Sequence, residues 1–248
     1  MAATPQEIKK YMKKGAETVE EGLPGWFGTF ADMMTLLFAF FVLLAAISTI
    51  DPVKLQNMAD SMGKSVGKKE KLDNQAMSLG DIHKAATKMV EEMAADPQTG
   101  EKPVEVTTSP KGVTIGISSD ISFESGSANT KPGFLEILKK IVPTIQESYN
   151  MIAVEGHTDS DALPNALVAR YPSNWELSGA RASAVVRLLI GLDVDPVRLQ
   201  SVGYGEFVPR DKNTAEIITA ALIQKYNSNP QQKARNRRVE ITFLAPNL

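Results

Sequence analysis

The chain has 248 residues, a formal net charge of -2 and no cysteine. The near-balanced charge argues against a nucleic-acid binder that relies on a broad basic surface. The lack of cysteine excludes disulfides, thiol catalysis and cysteine-ligated zinc. A chain of this length holds one or two modest domains, and a hydrophobic share of 43% is ordinary for a globular protein.

The apolar residues are concentrated near the N-terminus, where the stretch from Trp26 to Ile50 contains one formal charge, Asp32. At about 1.5 Å per helical residue, this stretch reaches roughly 37 Å and can cross a hydrocarbon core of about 30 Å. A cleaved signal peptide is the alternative, but the stretch exceeds a normal signal h-region. We therefore predict a tail over residues 1–25 and a transmembrane helix over residues 26–50. Lysines lie on both sides, so the charge bias leaves the orientation open.

Asp32 is unusual in this setting because it lies about six residues, or roughly 9 Å, inside Trp26. An acidic side chain at that depth costs at least ~2.5 kcal/mol on insertion scales and usually marks an ion path or a proton relay. Holding a proton, or binding a cation together with other oxygen donors, reduces that cost. Thr29 and Thr35, three residues away on either side, are candidate oxygen donors. The alternative is a carboxyl group that only fixes the association of helices.

A short amphipathic helix is predicted over residues 51–66, directly after the membrane segment. Asp51 is suited to cap this helix. Pro52 is suited to open it, and an apolar stripe follows, formed by Val53, Leu55, Met58, Met62 and Val66. Such a helix can lie on lipid headgroups or cover a pore. Residues 67–102 are predicted to be a linker that contains a second helix between Asn74 and Ala95.

A compact domain is predicted over residues 103–248. Apolar residues alternate at 113, 115 and 117 as in a half-buried strand, and residues 151–156 and 237–244 form further strands. Helices are predicted from Pro132, from Ser178 and over about 214–226. This order of strands and helices favours an α/β sandwich with helices packed on one sheet.

Five motifs occur in this domain in a fixed order: "FESGSANTKPG", "VEGHTDSD", "RYPSNWELSGARASAVVRLL", "VGYGEFVP" and "NRRVEI". Together they resemble the OmpA-like peptidoglycan-binding domain. With "PGWFGTFADMMTLLFAFFVLL" and the amphipathic stretch, the chain resembles the B subunits of the bacterial flagellar stator, the MotB/PomB family. The resemblance implies a mixed sheet with helices on one face, and a groove for the diaminopimelate stem peptide of peptidoglycan.

The resemblance also assigns roles within that groove. Asp159 would accept hydrogen bonds from the ammonium group of the ligand, and Arg181 would hold its carboxylate, because a zwitterion requires such an opposed pair. The local alternatives are that Asp159 caps a turn and that Arg181 forms a structural ion pair. The groove would further be lined or flanked by Thr158, Asn174, Leu177, Ser178, Asn236 and Arg237.

His157, Asp159 and Asp161 together also raise the question of a metal-dependent enzyme. The only other histidine, His83, lies in the predicted linker, and no HExxH motif or nucleophile elbow accompanies them. We therefore interpret His157 as a buried hydrogen-bonding residue. The sequence predicts no enzyme, no cofactor and no protein-bound metal.

By resemblance, the function is that of an ion-driven motor subunit. Two copies would sit inside a ring of five A subunits, and each Asp32 would bind a transported cation, with sodium favoured over the proton. Neutralising that carboxylate would change the preferred helix packing and step the ring. Residues 51–66 would act as a plug, and the C-terminal domain would tie the assembly to peptidoglycan.

The resemblance further implies a single-pass protein of the inner membrane, with a cytoplasmic N-terminus, a periplasmic C-terminal domain, lipid around the helix and no nucleic-acid partner. Two other classes remain open. One is a related ion-driven motor, such as a ZorB-like defence component or a TolR-like energiser. The other is a passive tether to peptidoglycan.

Overall fold

The computed structural model describes residues 4–17, 24–47, 77–93, 102–213 and 216–245. The chain divides into two units, Met1–Thr49 and Ile50–Leu248. The predicted plug and the first part of the predicted linker lie outside the described residues.

The described residues of the first unit form two helices, α1 (Pro5–Glu17) and α2 (Gly25–Ile47). The predicted tail therefore includes a helix, and α2 coincides with the described part of the predicted transmembrane segment. Over Gly25–Ala46, a span of 22 residues, α2 is long and apolar enough to cross a membrane. Almost all of its side chains are exposed within this unit. A helix that is apolar all round requires lipid or other helices around it.

The second unit is built on a five-stranded mixed sheet. Its strands are β1 (Val104–Ser109), β2 (Gly112–Ser118), β3 (Ile152–His157), β4 (Leu199–Gly203) and β5 (Arg238–Leu244). The spatial order is β1-β2-β5-β3-β4. Only β3 and β4 are parallel neighbours, and the other pairs are antiparallel. A parallel pair needs a long crossover connection, which here contains a helix.

The described helices of this unit are α3 (Leu79–Glu91), α4 (Ser119–Ser122), α5 (Pro132–Glu147), α6 (Asn165–Val168), α7 (Asn174–Gly191), α8 (Ala220–Lys225) and α9 (Pro230–Asn236). Of these, α3 packs on β1 and β2, whereas α7 is the crossover helix and packs on β3 and β4. The long helix α5 contacts both α3 and α7. The predicted mixed sheet with helices on one face is confirmed.

The two faces of the sheet differ sharply in chemistry because side chains alternate along each strand. One face carries the apolar residues of the core, which include Val113, Ile115, Ile117, Ile152, Val154, Val239, Ile241 and Phe243. The opposite face is polar. There the hydroxyl groups of Thr114 and Thr242 lie 3.0 Å apart, and Glu155, His157 and Glu240 follow farther along the sheet.

The predicted boundary at residue 103 is wrong. Helix α3, which was expected inside a linker, buries Leu79, Ile82 and Ala86 in the same core as the sheet. The amide of Met77 also donates to the carbonyl of Glu147 at 3.0 Å. The apolar stripe that predicted a helix here was therefore a core-facing stripe, and the folded domain begins by Met77.

Two predicted helices shift in their bounds, and several elements were not predicted. Helix α7 begins at Asn174 rather than Ser178, because Ser173 and Glu176 form a capping box. The helix expected over 214–226 covers only Ala220–Lys225 among the described residues, since Thr219 caps it. Strands β1 and β4 and helix α9 were not predicted.

Two glycines bring α7 close to the sheet. A Cβ atom on Gly156 would lie 2.2 Å from the carbonyl oxygen of Ser178, and one on Gly203 would lie 2.5 Å from the amide nitrogen of Gly179. No side chain fits at either position without displacing backbone. This close approach holds the first turns of α7 beside the end of β3, where the candidate site lies.

Candidate functional site

A cavity of about 290 Å³ lies where β3 ends and α7 begins. Four parts of the chain enclose it: the loop after α4, the segment after β3 that includes α6, the first two turns of α7, and the junction of α9 with β5. Its lining residues are Ser125, Gly126, Thr158, Asp159, Asp161, Ala162, Leu163, Pro164, Leu167, Asn174, Leu177, Arg181 and Arg237.

Asp159 supplies the acidic wall of this cavity. One of its carboxylate oxygens accepts from the backbone amide of Asp161 at 3.2 Å, and the other accepts from Nη1 of Arg237 at 2.7 Å. Arg237 also donates to both carboxylate oxygens of Asp120, at 3.0 and 2.8 Å. Asp159 therefore caps a turn and lines the cavity at the same time. A carboxylate offers about four acceptor positions, so further donors can bind it.

Arg181 supplies the basic wall and is only 5% exposed. Its Nε donates to the carbonyl oxygen of Ser127 at 2.9 Å, and its guanidinium carbon lies 5.3 Å from the centre of the Phe123 ring. Burial lowers the pKa of Arg181, although Asp120 and Asp159 partly offset this effect. Among the described residues, no carboxylate lies within ion-pair distance. The structural ion pair of the alternative is therefore not found in the described part of the chain.

Three further predicted residues line the cavity. Nδ2 of Asn174 donates to the carbonyl oxygens of Asp159, at 3.3 Å, and Asp161, at 3.1 Å, which fixes the turn between them. Leu177 is buried and supplies apolar surface. The Thr158 hydroxyl is also buried and has no hydrogen-bond partner within the described part of the chain. A ligand is one partner that would satisfy this hydroxyl.

Two predicted residues do not line the cavity, and both support its walls instead. Ser178 is fully buried, donates to the carbonyl oxygen of Trp175 at 2.9 Å and accepts from the amide of Gly205 at 3.0 Å. Asn236 accepts from the amide of Arg210 at 2.8 Å and donates to the carbonyl oxygen of Tyr226 at 2.8 Å. Both side chains stabilise the backbone around the cavity, because their polar groups form hydrogen bonds with backbone groups.

The sequence analysis missed the part of the lining contributed by residues 161–167 and by the loop at 125–126. In that loop Gly126 has φ +63, and a Cβ atom there would lie 2.3 Å from Cδ1 of Leu167. Both residues of this contact line the cavity. A glycine inside the "FESGSANT" motif was the available signal, since such a position often marks a left-handed turn or close packing.

In the first unit, Asp32 lies on the exposed surface of α2. The hydroxyl of Thr35 donates to the carbonyl oxygen of Asp32 at 2.8 Å, and that of Thr29 donates to the carbonyl oxygen of Trp26 at 2.7 Å. Both threonines therefore bond to their own helix, and each hydroxyl oxygen keeps acceptor capacity. The carboxylate of Asp32 and these two oxygens are the groups that the sequence analysis predicts to bind an ion.

His157 does not join Asp159 and Asp161, which line the cavity. It is 1% exposed, stacks on Tyr204 with ring centres 5.3 Å apart, and has no hydrogen-bond partner for either ring nitrogen among the described residues. The interpretation as a buried residue is confirmed, but the hydrogen bonds expected for it are not found. Burial, followed by the charge of Arg238, lowers the pKa of His157 to about 4.

The fold and the site first define a class of protein, in which an apolar N-terminal helix is combined with an OmpA-type domain. A family model for the OmpA family matches residues 122–221. A second model, described as membrane MotB of the proton-channel complex MotA/MotB, matches residues 9–66. The MotB match spans most of the first unit and continues to residue 66, and the OmpA match lies inside the second unit.

Full-length relatives identify the family. The chain is 30% identical over 242 residues to the uncharacterized protein YtxE of Bacillus subtilis, covering 93% of each chain. It is 29% identical over 271 residues to motility protein B of the same organism, covering 95% of each. The crystal structure of a putative MotB-like protein from Desulfovibrio vulgaris has the same fold, with a TM-score of 0.51 and 24% identity over 68% of this chain and 96% of that one. The chain belongs to the MotB family of flagellar stator proteins, which are not enzymes.

Proposed function

We propose that this chain is the wall-anchored, ion-conducting B subunit of a flagellar stator. The proposal combines family membership with two features of the molecule. One is a helix able to span a membrane whose single charge is Asp32. The other is a cavity that presents a basic and an acidic side chain to a ligand.

The cavity supports attachment to peptidoglycan through a zwitterionic group of the stem peptide, of the diaminopimelate kind. The observation that carries this step is Arg181, a buried cation without an anionic partner among the described residues. Burying this cation is costly and Asp120 and Asp159 offset the cost only in part, so a ligand carboxylate would stabilise the site. Asp159 on the same lining offers a carboxylate to the ammonium group of such a ligand, and Thr158 offers an unused hydroxyl.

Asp32 would carry the transported cation between α2 and the helices of a partner. The exposed apolar surface of α2 is suited to an enclosing ring, and we propose five A subunits, of the MotA/PomA type, around two copies of this chain. The description of the matching family model names a proton channel. For this chain we propose sodium, because Thr35 and the residues around Asp32 resemble the sodium-type pattern, and sodium requires several oxygen donors.

The remaining parts of the chain would support this cycle. The helix α2 would be surrounded by lipid and A subunits in the inner membrane, with the N-terminus in the cytoplasm and the cavity in the periplasm. Residues 51–66 would act as a plug that blocks ion leakage before assembly. The matching family model for the MotB plug extends to residue 66, which supports this assignment.

The proposal is tested by the dependence of swimming on sodium. Cells that lack their own stators would carry this chain with its A subunit, and swimming speed would be measured as sodium replaces potassium at constant pH and ionic strength. We expect speed to rise with sodium and to fall to zero without it. If swimming speed does not depend on sodium and falls to zero when a protonophore is added, the transported ion is the proton rather than sodium. Absence of swimming under both ions, with both subunits in the membrane, would contradict the stator assignment.

Deletion of Val53–Met62 tests the plug. We expect growth to slow when the shortened chain and the A subunit are produced together, because the unblocked pathway leaks cations. Adding Asp32→Asn to the deletion should restore growth, since the leak would use the same carboxylate. Unchanged growth and unchanged internal sodium in cells with the deletion would show that this segment does not close the pathway.

A further inference from the structure

Two carboxylates face each other on the polar side of the sheet. Glu155 on β3 and Glu240 on β5 are directly opposite in the antiparallel register, and His157 lies two residues along β3 on the same face. Glu155 is 6% exposed, and the Glu240 side chain is 19% exposed. Like charges opposite each other destabilise a strand pair. A buried pair of this kind therefore calls for cations nearby.

In the part of the chain that the structure describes, protein side chains donate hydrogen bonds to only one of the two oxygens of each carboxylate. Oε1 of Glu155 accepts from Nζ of Lys111 at 3.4 Å and from the hydroxyl of Tyr204 at 3.3 Å. Oε1 of Glu240 accepts from Nε of Arg238. These bonds orient each carboxylate through its Oε1, and none of them uses Oε2. Metal-binding carboxylates are commonly oriented by such outer partners.

His157 is aimed at the same place. Its Nε2 lies 3.7 Å from Oε2 of Glu240, which is too long for a hydrogen bond. The ring is buried and neither nitrogen has a partner within the described ranges. Buried polar groups almost always have a partner, and an ion or water is the usual explanation where protein supplies none. The lowered pKa of His157 keeps the imidazole neutral near pH 7, so its lone pair is available.

We propose that Glu155, His157 and Glu240 bind one divalent transition-metal ion, with zinc as the best match. Their potential ligand atoms lie within 4.8 Å of one another. Ligand atoms bonded tetrahedrally to one zinc ion at about 2.1 Å are about 3.4 Å apart, so side-chain rotations have to bring these atoms closer together to complete the site. One imidazole and two carboxylates form a set that zinc accepts, and a water molecule would take the fourth position.

The site would stabilise the end of β3 that leads into the cavity. His157 is followed directly by Thr158 and Asp159, which line it. A metal ion bridging β3 and β5 would therefore fix the strand from which these two residues extend. Because Lys111 and Arg238 already balance the carboxylates, we expect weaker binding than at a zinc site made of thiolates.

The test uses the full chain in detergent, purified without a polyhistidine tag. The protein would be loaded with zinc and dialysed, and the metal content per chain would be measured by mass spectrometry. We expect about one zinc per chain for the wild type, and loss of that zinc in His157→Gln. His83→Gln is the matched control, because His83 is the only other histidine and lies on α3 outside the cluster. This variant should keep its zinc.

If His157→Gln fails to fold, a second measurement tests whether this cluster binds a metal ion. Cobalt would replace zinc in the wild type and in Glu240→Gln, and the visible absorption of the bound ion would be recorded. We expect bands of a protein-bound nitrogen and oxygen site in the wild type, and their loss in the variant. Absence of retained metal in the wild type, a spectrum of aqueous cobalt, or equal zinc content in His157→Gln and the wild type would overturn the proposal.

Discussion

Replacing Asp32 by Asn is expected to stop the motor completely while leaving the stator assembled. Asparagine has nearly the same shape but cannot exchange a proton or balance a bound cation, and α2 has no other charged residue. The helix would still insert, since an amide is less costly than a charge at that depth. Rotation of tethered cells and swimming with and without sodium are the measurements, with the amount of each subunit in the membrane as the check on assembly.

The control for this change is Asp32→Glu, which keeps a carboxylate and moves it by one methylene. We expect it to retain measurable rotation at reduced speed, whereas Asp32→Asn should have none at any sodium concentration. A passive tether would be unaffected by either change. Normal motility of Asp32→Asn would therefore rule out ion transport at this residue and favour the tether.

Replacing Arg181 by Ala is expected to reduce peptidoglycan binding by about 10- to 100-fold. The range corresponds to the roughly 1.5–3 kcal/mol typical of a hydrogen bond to a charged group. Arg181→Lys should also bind weakly, because a single ammonium group cannot form the paired contacts of a planar guanidinium. Sedimentation of a fragment containing Ile50–Leu248 with purified cell-wall sacculi is the measurement, with diaminopimelate as competitor.

One control variant and one further site variant accompany this experiment. Arg187→Ala removes an exposed arginine of the same helix and should bind normally. Asp159→Asn keeps the shape of the acidic wall and should lose affinity for the ammonium group of the ligand. Because Arg181 also bonds to Ser127 and contacts Phe123, thermal unfolding of every variant is needed. Equal binding by folded Arg181→Ala and Arg187→Ala would contradict the proposed site.

The two changes should disable the motor in different ways. Asp32→Asn would leave a stator that is attached to the wall and conducts no ions. Arg181→Ala would leave one that can conduct but cannot resist the reaction torque. Membrane ion flux and attachment to sacculi distinguish these outcomes, and together they separate a motor subunit from a simple anchor.

Much of this molecule is determined by local patterns in the sequence. The uninterrupted apolar stretch determined α2, and the alternation at Val113, Ile115 and Ile117 determined β2. Such elements are predictable because exposure to lipid, core or water depends on the period of the apolar residues. The motifs around Asp159 and Arg181 also indicated the two charged walls of the cavity.

Only the tertiary structure decided which surfaces meet. The apolar stripe of α3 does not reveal which surface it packs against. The sequence pattern therefore could not distinguish a helix of the core from a helix in a linker. Ser178 belongs to the same motif as Arg181, yet its hydroxyl group forms hydrogen bonds with the backbone of Trp175 and Gly205. The grouping of His157 with Glu240 depends on the register between β3 and β5, which are about eighty residues apart in the chain. The local sequence pattern predicts whether a side chain is buried. Strand register and helix packing determine which other residues that side chain contacts.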